Sequence, residues 1–173
     1  MHNSVNNLIE IKNQIKQVNP NTEIIAVSKS FISSKIMPLI EHGHIHFGEN
    51  KVQEAQNKWK EILSNFKNIK LHMIGKLQTN KVKQAVSLFD YIHSVDSIKL
   101  AQKISTEENK INKKIKLFIQ INIGKEIQKN GILEEDLIDF YQTLVNDLKV
   151  DVVGLMCIPP IEVNTIQIFK KMK

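Results

Sequence analysis

Six short apolar segments alternate with longer stretches of helical spacing, and this alternation constrains the fold more than any other feature of the chain. The helical parts of the stretches between them are about ten to sixteen residues long, which is typical of repeated βαβ units. Such units form a parallel sheet covered by helices. We therefore predict an α/β fold with six parallel strands, at residues 23–28, 44–48, 70–74, 90–95, 115–123 and 150–157.

Helices are predicted before, between and after these strands. The first spans residues 5–18, where apolar residues recur at helical spacing, and the Asn19-Pro20-Asn21 turn ends it. The others are predicted at residues 33–42, 50–65, 78–88, 97–110 and 133–148, and from about residue 162 onward.

The composition bounds the class of protein. The chain has 173 residues, of which 42% are hydrophobic, so we predict one domain over residues 1–173. No apolar stretch approaches the roughly 18 residues of a membrane span, and the N-terminal segment lacks the apolar centre of a signal peptide. The single cysteine, Cys157, excludes an intramolecular disulfide. These features predict a soluble, cytoplasmic protein with no membrane partner.

The basic residues are all lysines. The formal net charge is +6, but the lysines are spread along the chain and are not interleaved with aromatic residues. This pattern argues against nucleic acid as the partner. Binding of a small anionic molecule explains the net charge equally well. The chain contains no arginine, the usual bidentate ligand of phosphate and carboxylate. A biased, AT-rich coding sequence also explains the excess of Ile, Asn and Lys.

Lys29 stands out among the lysines because it closes the first apolar run, in the sequence AVSKS at residues 26–30. The run has the pattern of a parallel strand that is buried on both faces. A lysine at such a strand end can lose its charge through desolvation and attack an aldehyde to form a Schiff base. Alternatively, Lys29 extends its ammonium group from the strand end into water.

Other polar or soft side chains also follow predicted strands. In a parallel α/β barrel, chemistry collects where the strands end and the βα loops begin. The residues at these ends are Ser28, Glu49, Asn50, Gly75, Gln78, Asn80, Ser94, Asp96, Asn122, Lys125 and the segment Met156–Pro159.

Three histidines, His42, His44 and His46, lie close together before the second predicted strand. Alternation would place His44 and His46 on one face of a strand. No cysteine and no second ligand cluster accompanies them, so we predict a turn and a strand start there, with no metal site.

Six blocks of the sequence, between about residues 24 and 160, form an ordered set. They are AVSKS at 26–30, FGENKVQEA at 47–55, LHMIGKLQTNKVK at 71–83, IHSVDS at 92–97, IQINIGKEIQKNGI at 119–132 and GLMCIP at 154–159. These blocks resemble the signature blocks of the pyridoxal phosphate homeostasis proteins. Six blocks in the family's order make a specific match, whereas no single block would.

The resemblance implies a TIM-type (β/α) barrel like the N-terminal domain of alanine racemase. It also implies pyridoxal 5′-phosphate (PLP) as the cofactor, held as a Schiff base on Lys29. Members of the family are regarded as carriers or regulators of the intracellular PLP pool with no robust reaction of their own. The resemblance therefore implies that this chain is a PLP-binding protein and not an enzyme, in a family whose members are monomers.

Further cofactor-lining positions follow from the resemblance, and each has an alternative explanation. Asn50 would lie near the cofactor ring, or cap the helix that follows it. His72 would contact the cofactor, or be a hydrogen-bonded core histidine. Gly75 would allow close approach of the backbone. Ser94 and Met156 would line the cofactor, although Met156 is equally typical of a core.

The chain also departs from the family pattern. It ends inside the helix after the sixth strand, so we expect an incomplete barrel that lacks the family's last two strands and the segments that hold the phosphate. Each lost charge-assisted hydrogen bond is worth about 1.5 to 3 kcal/mol, so PLP binding is expected to be weaker. The first and sixth strands would present unpaired edges, which favours association with another chain.

Three other functions stay open on the residues alone. An amino-acid racemase needs a second base opposite the lysine, and the only tyrosines, Tyr91 and Tyr141, lie outside the loop positions of the matching blocks. A degraded family member would bind PLP weakly or not at all. A nucleic-acid or interaction module that uses the lysine-rich faces would show steep salt dependence and no aldehyde chemistry.

Overall fold

The computed structural model describes residues 2–124, 126, 129–159 and 165–172. The strands are β1 (Ala26–Val27), β2 (His46–Glu49), β3 (Lys70–Met73), β4 (Tyr91–Val95), β5 (Lys116–Ile121) and β6 (Asp151–Cys157). The helices are α1 (Asn3–Val18), α2 (Ser33–Glu41), α3 (Val52–Asn65), α4 (Val82–Leu88), α5 (Ile98–Ile111), α6 (Leu137–Gln142) and α7 (Thr165–Lys171). The predicted alternation of strands and helices is confirmed.

The six strands form one parallel sheet whose spatial order is the order of the chain, from β1 to β6. Each strand pairs with the next one along the sequence, as expected for consecutive right-handed βαβ units. Within the described residues β1 and β6 do not pair with each other, so the sheet is an open barrel. The predicted α/β class and the incomplete barrel are confirmed.

The main core lies between the sheet and the helices. One face of the strands contributes Phe47, Leu71, Ile92 and Leu117, all of which are fully buried. Trp59 of α3 packs on Phe47, with the ring centroids 5.0 Å apart. The face opposite these residues points toward the interior of the open barrel, and because strand side chains alternate, it carries the other half of each strand.

Two strands contain an extra residue that interrupts this alternation. On β4, Ile92 pairs with Leu117 and Val95 pairs with Ile119. From the first of these pairs to the second, β4 advances by three residues and β5 by two. On β6, one residue is inserted where the pairing to β5 shifts. Bulges of this kind redirect side chains at the rims of barrels.

The prediction for the first strand was wrong in length and burial. It was predicted at residues 23–28 and buried on both faces, but β1 contains only Ala26 and Val27. Val27 is 47% exposed. The reason is that β1 is an edge strand with a neighbour on one side only. The apolar sequence pattern carries no signal for that missing neighbour.

One helix prediction needs a smaller correction. The stretch predicted as one helix at 133–148 consists of a short 3₁₀ turn at Glu134–Asp136, α6, and a wider π-type turn at Thr143–Asp147. For the last helix, predicted from about residue 162, the described part spans Thr165–Lys171, and residues 160–164 lie outside the described part of the chain. Among the described residues, no helix has both the length and the apolar character to cross a membrane.

Candidate functional site

The predicted site residues lie at the carboxyl ends of the parallel strands. We call this end of the sheet its carboxyl edge, as distinct from the edge strands β1 and β6. Lys29 follows β1, Asn50 follows β2, Gly75 follows β3, and Ser94 and Met156 are the second-to-last residues of β4 and β6. Because the strands are parallel and adjacent in order, this edge gathers βα turns that are far apart in sequence. Lys125, also predicted at this edge, lies outside the described residues.

Lys29 lies in a tight turn that leaves β1. The amide of Phe31 donates to the carbonyl oxygen of Ser28 at 3.1 Å, which closes the turn around Lys29 and Ser30. Ser30 has a left-handed backbone, with φ at 64°. The Lys29 side chain is exposed, so the desolvation expected of a buried strand end is absent in this structure. The amine is instead accessible from solvent at the sheet edge.

Asn50 and Gly75 touch each other through their backbones. A Cβ atom built at Gly75 would lie 2.4 Å from the carbonyl oxygen of Asn50 and 2.7 Å from its Cα. Only glycine fits such an approach, and the close approach predicted at Gly75 is therefore to the turn after β2. The capping alternative for Asn50 is wrong, because α3 begins at Val52 with Lys51 in the N-cap position.

Ser94 lies at the irregularity in β4. Its side chain is buried, with 2% of its surface exposed. The Oγ atom has no hydrogen-bond partner among the described residues. Buried hydroxyl groups are normally paired, so an unpaired one at the end of a barrel strand is an unused donor and acceptor that a bound ligand would satisfy.

Met156 is half-buried on β6 and pairs in register with Gln120 of β5. Gln120 is buried and donates through Nε2 to the carbonyl oxygen of Asn130 at 3.2 Å. Gln120 and Asn130 also line a cavity of about 150 Å³ at the end of β5 together with Ile158, which follows β6. Met156 therefore sits beside a partly polar recess, and its side chain is not enclosed in the main core.

His72 is a buried histidine whose two ring nitrogens are both occupied. Its Nε2 lies 2.9 Å from Nδ1 of His46, and its Nδ1 lies 2.9 Å from Nε2 of His93. These three residues, on β2, β3 and β4, form what we call the histidine chain. The core-histidine alternative therefore describes the contacts of His72 among the described residues.

Aromatic rings flank the histidine chain. Tyr91 stacks on His72 with ring centroids 4.2 Å apart, and Phe118 stacks on His93 at the same separation. Burial, together with the neighbouring imidazoles, lowers the pKa of His72 from 6.5 to about 3. Burial lowers the pKa of His93 to about 4. Both rings are therefore neutral at physiological pH.

The partners of His72 were not predicted from the sequence. His46 was considered only with His42 and His44, but these do not share a face with it. His44 precedes β2, and its Nε2 lies 2.9 Å from the backbone oxygen of His46. The described residues contain no group of three or more His, Cys, Asp or Glu side chains placed to hold a metal ion. The sequence signal for the histidine chain was the presence of a histidine in each of three consecutive predicted strands.

The sequence profile of the alanine racemase N-terminal domain matches residues 4–165. The pyridoxal phosphate homeostasis protein of Haemophilus influenzae is 32% identical over 158 residues, which are 91% of this chain and 67% of that protein. That of Synechocystis is 35% identical over 144 residues, 82% of this chain and 65% of that protein. The chain belongs to the pyridoxal phosphate homeostasis protein family.

Solved structures support this family assignment. PipY of Synechococcus elongatus PCC7942, whose structure has been solved with PLP bound, is 34% identical, with a TM-score of 0.83 over 95% of this chain and 77% of that one. Alanine racemase of Clostridium difficile in complex with cycloserine has a TM-score of 0.71 at 17% identity, which shows the shared fold alone. The chain spans about two thirds of the length of its curated homeostasis-protein relatives.

Proposed function

We propose that this chain binds pyridoxal 5′-phosphate through Lys29 and acts in the homeostasis of the cytoplasmic PLP pool. The observation that carries the proposal is the place of Lys29, an accessible amine in the turn after the first strand, at the sheet edge where barrels of this kind bind ligands. The relation to PipY, which has been solved with PLP bound, supports PLP as the ligand.

The residues at this edge fit the proposed cofactor chemically. Lys29 offers a primary amine, the group that combines with an aldehyde, and PLP supplies that aldehyde when bound. The buried Oγ of Ser94 offers a hydrogen-bonding group that no described residue uses. Between Lys29 and Ser94, the contact of Asn50 with Gly75 brings the turns after β2 and β3 together.

Binding without catalysis is the function that these residues support best. A racemase requires a second base at the strand-end turns to move a substrate proton. Tyr91 is held inside the sheet against His72, and Tyr141 is 44% exposed on α6. Neither lies in a turn at the carboxyl edge. We therefore propose a carrier or regulator of PLP, and not a racemase.

We also propose that the phosphate group is held weakly. The chain contains no arginine, so it lacks the side chain that binds phosphate in a bidentate manner. Lysine offers only a single point charge. Each charge-assisted hydrogen bond to the phosphate that is not made weakens PLP binding by about 1.5 to 3 kcal/mol. A covalent bond to Lys29 would then contribute most of the affinity.

The test is to map where PLP attaches. The purified protein is mixed with PLP, its absorbance spectrum is recorded, the adduct is reduced with borohydride, and the labelled lysine is identified by mass spectrometry. We expect one dominant label at Lys29, its loss in Lys29→Ala, and no loss in the control Lys51→Ala, which removes an exposed lysine at the same edge. Labels scattered over the surface lysines in proportion to exposure would refute the proposal.

The open sheet edges lead to a second proposal, that this chain associates with another copy of itself. Val27 on β1 and Val153 on β6 are 47% and 42% exposed, so both edge strands present apolar side chains to solvent. Unpaired edges of this kind favour pairing with another strand. Sedimentation velocity over a hundredfold range of concentration should show a dimer, and a monomer at all concentrations would refute the association.

A further inference from the structure

A buried carboxylate lies beneath the turn that carries Lys29. Glu49, the last residue of β2, has no exposed surface. Its Oε1 accepts three hydrogen bonds, from Ser28 Oγ at 2.7 Å, Lys58 Nζ at 2.8 Å and Trp59 Nε1 at 2.9 Å. The donors come from the turn after β1 and from α3, so this single oxygen joins three elements of the fold.

Lys58 holds the same turn a second time. Its Nζ donates to the backbone oxygen of Ser28 at 2.6 Å, in addition to the ion pair with Glu49. Only 11% of the Lys58 side chain is exposed. Ser28 is therefore fixed through its hydroxyl group, through its carbonyl oxygen, and through its amide, which donates to Gly48 O at 2.9 Å. The next residue along the chain is Lys29.

The turn that is held in this way is strained. Its four residues are Ser28 to Phe31, and Ser30, in the third position, has φ at 64°. That position in such a turn favours glycine, because a side chain is disfavoured in the left-handed region. A strained backbone persists only where its surroundings over-determine it. The bonds from Glu49 and Lys58 supply that constraint at the first residue of the turn.

Stability alone explains this ion pair poorly. Glu49 Oε2 is buried and has no hydrogen-bond partner among the described residues. The cost of removing two charges from water offsets much of their mutual attraction. A buried carboxylate with one unpaired oxygen adds to that cost. A geometric role accounts better for placing a charged pair at this position.

We propose that Glu49 and Lys58 are positioning residues for Lys29. They hold the turn at residues 28–31 in its strained form and thereby set the direction in which the Lys29 side chain leaves the sheet edge. The inference rests on the proposed function, since it assigns Lys29 as the residue whose position matters. Neither Glu49 nor Lys58 is required to touch the cofactor.

The first experiment uses the protein without cofactor. Hydrogen exchange of the peptide that covers residues 28–32 is compared in the wild type, Glu49→Gln and Lys58→Met. We expect exchange to rise by about tenfold in both variants, because the turn opens more often once charge-assisted bonds are lost. The matched control is Glu108→Gln, which alters another buried carboxylate, on α5, that accepts from the amide of Ile115 just before the start of β5. It should leave the turn unchanged.

A rescue variant separates positioning from general stability. Ser30→Gly removes the strain at the left-handed position, so adding it to Glu49→Gln should restore most of the exchange protection and of the labelling rate at Lys29. Because relief of strain also raises global stability, urea denaturation of Ser30→Gly in the wild-type background measures the part of the rescue that comes from general stabilisation. Rescue that is absent, or equal opening of the turn in Glu108→Gln, would overturn the proposal.

Labelling by PLP and borohydride then distinguishes the two proposals. If both hold, the wild type is labelled at Lys29 and Glu49→Gln is labelled about tenfold more slowly. If the turn opens in Glu49→Gln while the wild type shows no selective label at Lys29, the clamp on the turn is real and the cofactor assignment fails. If the wild type is labelled at Lys29 and Glu49→Gln behaves identically in both assays, the positioning role fails and PLP binding stands.

Discussion

Mild acid should destabilise the folded protein through the histidine chain. In an unfolded chain these imidazoles titrate near pH 6.5, whereas the pKa of His72 is about 3 and that of His93 about 4 in the folded protein. Between these values the unfolded state binds more protons than the folded state. The contribution of these two histidines to the free energy of unfolding is therefore fully present above pH 6.5 and is lost as the pH is lowered toward 4.

The magnitude follows from the two pKa shifts. Each histidine contributes a slope of about 1.4 kcal/mol per pH unit between its folded and unfolded pKa values. At pH 5 each one has lowered the free energy of unfolding by about 2 kcal/mol, and the two together by about 4 kcal/mol. The stacked neighbours Tyr91 and Phe118 carry no carboxylate that would stabilise an added proton. Lys116, over the Tyr91 ring, adds a further positive charge.

Urea denaturation at a series of pH values between 7.5 and 4.5 measures this effect. Trp59 is the only tryptophan and is fully buried, so its fluorescence reports unfolding. His72→Gln should remove about half of the pH slope that the histidine chain contributes, since it leaves His93 as the remaining member with a strongly lowered pKa. The control His42→Gln removes an exposed imidazole and should preserve the wild-type slope. Parallel slopes for the wild type and His72→Gln would refute the reasoning.

Two glycine substitutions should differ in severity. Gly75→Ala should lower the free energy of unfolding by about 1 to 3 kcal/mol in urea titrations, because its Cβ meets fixed backbone atoms of Asn50. Gly154→Ala should lower it by less than about 1 kcal/mol, because its Cβ meets only the Phe118 ring, at 3.0 Å, and a side chain can tilt away. Equal losses would contradict the distinction between backbone and side-chain neighbours.

The predicted carboxyl ends of the strands agree with those in the structure. Apolar runs mark strands that are buried between helices and a barrel interior, and the residue after each run lies at the carboxyl edge. Lys29, Asn50 and Gly75 were therefore placed correctly at that edge from the chain alone. Their roles as cofactor contacts stay predictions.

The sequence left two environments open for Lys29, a desolvated strand end and an ammonium group extended into water, and the structure shows the second. The run before it reads as a buried strand, and burial was the reason to expect a desolvated amine. Burial depends on which strands flank the run, and β1 has a partner only in β2. A local pattern records the character of a strand but not the number of its neighbours.

By itself, the sequence determined the α/β class, the six strands in parallel order and the family, because periodicity and ordered motifs are properties of the chain. Only the tertiary structure decided that His46, His72 and His93 share a hydrogen-bonded chain, and that Glu49 and Lys58 bond to Ser28, the first residue of the turn that contains Lys29. The physical reason is register. Hydrogen bonds act over about 3 Å, so a shift of one residue between strands would remove these contacts and leave every sequence pattern unchanged.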